Sequence, residues 1–197
     1  MKKILFALLS LTFLTLATVN AQNSVFKKGN FNASVGIGLL PTYFADKAKV
    51  NVLPLSTRIG YNFTDNFNLS LYAGFSSYTS RLSEDFDGNL RQYDNDFLSL
   101  GLRGELHAAK TEKWDIYGGF MIGYNKAFVN ETIFNPDDME SPIDAPTDRP
   151  TTFKPQGSKV LFSGFIGATY FVKPKLGIFG ELGYGVSLVN LGVTFKL

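Results

Sequence analysis

The sequence predicts an all-β fold: a closed, eight-stranded, antiparallel up-and-down transmembrane β-barrel. Three observations predict it. Eight segments alternate apolar with weakly polar residues at a period of two, the period of a strand with two different faces. The connections between these segments alternate between short turns and long loops. The last segment, 189–197, is itself an apolar strand, with Val189, Leu191, Val193, Phe195 and Leu197 on one face. Such a strand needs a neighbour on each edge, and pairing with the first strand supplies the missing one.

Residues 1–21 read as a cleaved secretory signal. Lys2 and Lys3 precede an apolar stretch from Ile4 to Val19, and Val19-Asn20-Ala21 sets small residues before a cut. The stretch is short for a membrane helix and is broken by Ser10, Thr12, Thr15 and Thr18. Residues 22–197 then form one barrel domain. The chain has no cysteine, which excludes a disulfide framework, thiolate chemistry and a lipid-modified cysteine after the signal. Without Lys2 and Lys3 the formal charge falls from +2 to zero, so no basic nucleic-acid surface is expected. Beyond residue 21 no apolar run approaches the roughly 20 residues of a membrane helix, so membrane insertion is expected through strands.

The first strand, 30–40, sets Phe31, Ala33, Val35, Ile37 and Leu39 against Asn32, Ser34, Gly36 and Gly38. The second, 53–63, and the third, 67–78, flank a turn at Thr64-Asp65-Asn66, residue types that suit turns. The fourth, 97–108, carries Leu98, Leu100, Leu102 and Leu106 opposite Ser99, Gly101, Arg103, Glu105 and His107. The fifth, 114–126, begins at Trp114 and opposes Phe120, Ile122 and Tyr124 to Tyr117, Gly119, Met121 and Asn125. In the sixth, 159–172, Leu161, Phe165 and Phe171 blur the alternation. The seventh, 176–186, and the closing strand, 189–197, meet at a tight connection near Ser187-Leu188. Long loops are expected at 41–52, 79–96 and 127–158, the last with five prolines and no ladder of its own. Short turns at one end and long loops at the other fit a periplasmic and an extracellular end.

The weakly polar face is mainly Gly, Ser, Asn and Thr. A solvated exterior would carry many more charges, whereas small residues suit the crowded lumen of an eight-stranded barrel. The apolar face is therefore expected to meet lipid. Arg58, Arg103, Glu105 and Glu181 fall on the lumen face at similar heights above the short turns. Enclosed charges need partners, so the four are expected to form an ion-pair network, a structural plug packed by Tyr72, Tyr117, Met121, Phe165 and Phe179. Aromatic residues gather at the strand ends, as interfacial girdles do. Phe31, Phe63, Phe67, Trp114 and Phe195 are expected at one end, and Tyr43, Phe44, Tyr78, Tyr124 and Phe128 at the other.

With these residues in view, the chain resembles the small eight-stranded bacterial outer-membrane barrels of the OmpA/OmpX type. Its closing segment is similar to their C-terminal targeting signal: Asn190, then Gly192, then Phe195 and Leu197, with Leu where an aromatic is commoner. The Asn-Ala-Gln cut site and Phe-rich strands resemble those of Bacteroidetes-type proteins. The resemblance implies a Gram-negative outer membrane with its lipid and lipopolysaccharide, and assembly machinery that reads the C-terminal strand.

Other chemistry is weakly signalled. Some small barrels modify lipid A, but His107, the one histidine, is expected near a short turn with no serine at a useful spacing. Ser83-Glu84-Asp85-Phe86-Asp87-Gly88-Asn89 lacks the spacing and terminal glutamate of a calcium loop. No cofactor, metal or catalytic residue is expected. The expected role is non-enzymatic: envelope integrity, or surface interaction through the long loops with a ligand the sequence does not name. The alternatives are a narrow gated channel for small solutes or ions, or a lipid-modifying enzyme.

Overall fold

A sheet with lipid on its outside must have no open edge within the hydrocarbon, because nothing there can hydrogen-bond a bare amide. The computed structural model describes residues 27–43, 48–84, 90–111, 113–134 and 157–197, and shows how this chain meets that demand. Its strands are β1 (Phe31–Gly38), β2 (Lys49–Asn62), β3 (Phe67–Thr79), β4 (Ser83–Glu84), β5 (Leu90–Lys110), β6 (Trp114–Phe134), β7 (Lys159–Lys173), β8 (Leu176–Tyr184) and β9 (Val189–Lys196). All pairings are antiparallel, and β1 pairs with both β2 and β9, from Asn32↔Lys196 to Gly38↔Asn190. β3 pairs directly with β5, so eight strands close the wall. The two-residue β4 lies outside that cycle, on the far end of β5. The chain is a closed eight-stranded antiparallel transmembrane β-barrel.

The short-turn end is built by local hydrogen bonds. Thr64 Oγ1 accepts from the amides of Asn66 and Phe67, and Thr111 Oγ1 accepts from that of Trp114. A threonine that caps its own turn fixes the register of the strands that follow. In β2 the ladder shifts between Val52 and Leu55, around Pro54, which has no N–H to contribute.

The faces divide as alternation requires. Leu100 and Ile166 are 57% and 66% exposed, on the outside, where they meet lipid. Inside lie Ser34, Asn68, Ser70, Ser99 and Thr169, all buried. The residues that blurred the pattern in β7 resolve to the lumen: Leu161, Phe165 and Phe171 are all buried there. They follow the same odd-numbered parity as Ser163 and Thr169, with apolar rather than polar side chains.

The long-loop end differs from expectation. β5 starts at Leu90 and β6 runs on to Phe134, so residues placed in the loops 79–96 and 127–158 form a two-stranded ribbon above the barrel. Its rungs run from Phe97↔Ala127 to Leu90↔Phe134, and Arg91 pairs with Glu131 at 2.7 Å, which also accepts from the Tyr93 hydroxyl. β-Branched Val129, Thr132 and Ile133 on one strand and Tyr93 on the other favour this extension. The aromatic assignments are corrected in part. Phe31, Phe63, Trp114, Phe195, Tyr124 and Phe128 are exposed on the outside, but Tyr43 and Tyr78 are 4% and 1% exposed. They stack at 4.6 Å and pack with Phe97 and Ala48 into an apolar cluster inside the upper barrel. The signal at 1–21, Phe44, most of the acidic segment 83–89 and the prolines of 135–156 lie outside the described residues.

Ile166→Arg, in the middle of the lipid-facing belt, is expected to cost about 2–4 kcal/mol of unfolding free energy in phospholipid vesicles, while Ile133→Arg on the ribbon costs at most about 1 kcal/mol. Urea unfolding followed by Trp114 fluorescence measures both, and equal losses would contradict this placement.

Candidate functional site

Four charged side chains meet inside the barrel. Arg58 comes from β2, Arg103 and Glu105 from β5, and Glu181 from β8, each on an inward parity. The barrel brings all four together. Glu181 Oε1 accepts from Arg58 Nη1, from Arg103 Nη2 at 2.7 Å and from the Tyr117 hydroxyl at 2.7 Å. Glu105 Oε1 accepts from Arg103 Nε at 2.6 Å and lies 3.7 Å from Arg58 Nη1. All four side chains are buried.

Their planar cations are also covered. The Arg103 guanidinium carbon sits 3.3 Å from the centre of the Phe165 ring, and that of Arg58 sits 4.4 Å from the centre of Phe179. A guanidinium stacks on an aromatic face while its edge still donates hydrogen bonds. Both faces and edges of these arginines are therefore used. Glycine makes the room: a Cβ on Gly167 would lie 2.8 Å from Glu181 Cγ, and one on Gly119 would lie 2.7 Å from the Phe165 ring.

The network continues toward the short turns through His107 and Asp115. His107, expected near a short turn, donates its amide to Asn66 of the Thr64-Asp65-Asn66 turn, while its side chain is 4% exposed and points inside the barrel. Its Nδ1 lies 2.8 Å from Asp115, which is fully buried, and its Nε2 lies 3.9 Å from Glu105. A carboxylate can only accept, so Nδ1 carries the proton of that bond. Asp115 was legible by parity, since it stands two residues before Tyr117 on the same face. What placed it beside His107 is the bulge between His107 and Ala109, which shifts the β5–β6 register.

Just above the network a lumen cavity of about 30 Å³ remains, bounded by Ser34, Ser56, Tyr72 and Arg58. That is room for about one or two water molecules. Among the described residues no group of three or more His, Asp or Glu side chains converges to hold a metal.

No family model matches this chain, and no curated protein matches it in sequence. Solved structures do match in shape. OprG, an outer-membrane protein of Pseudomonas aeruginosa, is 14% identical, with a TM-score of 0.53 over 87% of this chain and 97% of that one. The N-terminal β-barrel domain of OprF from the same organism is 11% identical, with a TM-score of 0.50 over 86% of this chain and 98% of that one. The fold is that of the small outer-membrane barrels. At these identities the likeness extends to the fold and not to any residue of the lumen.

Removing one partner of a buried ion pair typically costs about 3–5 kcal/mol, and a hydrogen bond to a charged group contributes about 1.5–3 kcal/mol. Glu181→Gln, which weakens three contacts, is therefore expected to destabilise the barrel more than Tyr117→Phe, which removes one. Urea midpoints of the refolded variants give the order; a reversed order would mean that Glu181 is not the centre of the network.

Proposed function

We propose that this protein is a non-enzymatic integral barrel of a Gram-negative outer membrane, closed to solutes, which serves envelope integrity or surface interaction. The observation that carries this reading is the paired plug: two arginines, two glutamates and Tyr117 meet across the lumen, and the cavity directly against them is only about 30 Å³. A general diffusion pore needs an open lumen, and eight strands leave little space even before the plug is added. The narrow-channel reading loses support for the same reason.

The short-turn end faces the periplasm in this reading, and the β5–β6 ribbon with the rest of 79–96 and 127–158 faces outward. Arg91, Tyr93 and Glu131 on that ribbon offer polar contacts on a rigid support, the usual arrangement for binding by loops. The outer belt contacts lipid and lipopolysaccharide, and the closing strand, with Asn190, Gly192, Phe195 and Leu197, is the element that assembly machinery would read. Bacteroidetes-type origin rests on the cut site and the Phe-rich strands.

An enzymatic role has little to stand on. His107 is engaged by Asp115 inside the barrel, away from the lipid face, so it lacks the reach to substrate that a catalytic base needs.

Two measurements test the reading. The refolded wild type is expected to show no steady conductance in planar bilayers, while the double variant Arg103→Ser, Glu181→Ser opens measurable ion flow. Protease added to intact cells is expected to cut within 127–158 and to spare Lys173-Pro174-Lys175; cleavage after opening the outer membrane alone would reverse the orientation. A wild type that conducts steadily would replace the plug with a channel.

A further inference from the structure

Above the plug, the wall is incomplete on one side. The outermost rung between β7 and β8 is Gly164↔Tyr184, where β8 ends. β7 continues outward, laddered to β6 through Ser163↔Met121 and up to Lys159↔Asn125. The segment after β8 turns the other way. Ser187 bridges Pro41, the Leu39 amide donates to Val189, the Leu188 amide to Leu40, and the Thr42 amide to Val186. Gly185, at φ +151°, allows that departure; a Cβ there would meet the Ser163 side chain at 2.8 Å. The β8–β9 turn thus leans on the end of β1, and a cleft opens between it and upper β7.

A cavity of about 510 Å³ occupies the cleft. Its inner lining includes Tyr43, Ser76 and Asn125, which face the lumen, and its outer lining includes Val160, Phe162 and Tyr184, which are exposed on the lipid side. On the lumen side, Tyr43 and Phe97 of the apolar cluster line it. Phe162 stands ten positions above Val172 on β7. At about 3.3 Å per residue and a tilt of about 45°, that is about 23 Å of membrane normal, against an apolar band about 25 Å tall. The mouth therefore opens where acyl chains meet head groups.

We propose that this cavity binds a single-chain anionic amphiphile of the fatty-acid class, which enters laterally from the outer leaflet. The mouth selects an amphiphile because it joins the lipid belt to a polar interior. Phe97 and Leu161 line the path for the chain, and Ser76 and Asn125 offer hydrogen bonds to the head. Lys159, the charged residue of the lining, stands at the mouth on the lumen-facing parity and selects an anion. The volume lies within the range of small-molecule sites and is too small for a two-chain phospholipid. The proposal stands on the cleft and its lining, independently of any role of the outer loops.

The test uses the full-length barrel in phosphatidylcholine nanodiscs, titrated with dansyl undecanoate and with the corresponding dansyl undecanol; empty nanodiscs give the partition background. Saturable binding of the acid above background is expected, about fivefold weaker for the alcohol and for Lys159→Gln with the acid, the effect of one exposed charge pair. Leu161→Trp, which fills the cavity, is expected to abolish binding, while Leu71→Ala on the opposite lipid face leaves it unchanged. Heat-modifiable migration reports whether each variant is folded, and Lys159→Gln, an exposed change, keeps the test valid if Leu161→Trp is not. Binding no greater than in empty discs, or unchanged in Leu161→Trp, overturns the site. Equal binding of acid and alcohol, or of wild type and Lys159→Gln, overturns its anionic specificity.

Discussion

The closure of β1 on β9 governs everything else in this barrel. Hydrocarbon offers no hydrogen bond to a bare strand edge, and an unsatisfied backbone group there costs several kcal/mol. The ladder from Asn32↔Lys196 to Gly38↔Asn190 removes that cost by making each strand an interior one. Once the wall is closed, the apolar faces must point outward and the polar faces inward. A soluble core is thereby inverted, and the exposed Leu, Ile and Phe residues are the ones that membrane insertion stabilises.

Closure also sets the packing problem inside. Eight strands enclose a narrow lumen, which bulky side chains can enter only where neighbouring strands give way. Gly119 and Gly167 give way beside the plug, so that Phe165, Tyr117 and Glu181 fit across the axis. The buried charges are then tolerated because each has partners: the carboxylates take hydrogen bonds from guanidinium edges, and Phe165 and Phe179 cover the guanidinium faces. The result is a cross-brace that ties β2, β5, β6 and β8 together through side chains, in addition to the ladder of the wall.

Toward the long-loop end the same constraint relaxes, since water and head groups can satisfy a strand edge. β5 and β6 extend beyond the barrel as a ribbon, and β7 outruns β8. The Tyr43–Tyr78–Phe97 cluster fills part of the upper lumen with apolar rings. The barrel thus passes from a charge-braced middle to a mixed, partly open mouth.

The sequence by itself determined which residues face lipid and which face the lumen, because a strand has only two faces and a period of two assigns them. It also determined the antiparallel order, since turns such as Thr64-Asp65-Asn66 and Lys173-Pro174-Lys175 are too short for any other connection. The closeness of Arg58, Arg103, Glu105 and Glu181 was legible as a matter of similar heights above those turns. Parity does not say which heights meet across a barrel, however; strand stagger and bulges do. That is why only the tertiary structure placed His107 against Asp115 and drew the Tyr117 hydroxyl onto Glu181. It likewise decided where the wall ends, because the lengths of β5, β6 and β7 depend on a neighbour being present to pair with, and a neighbour is a property of the folded sheet rather than of the strand.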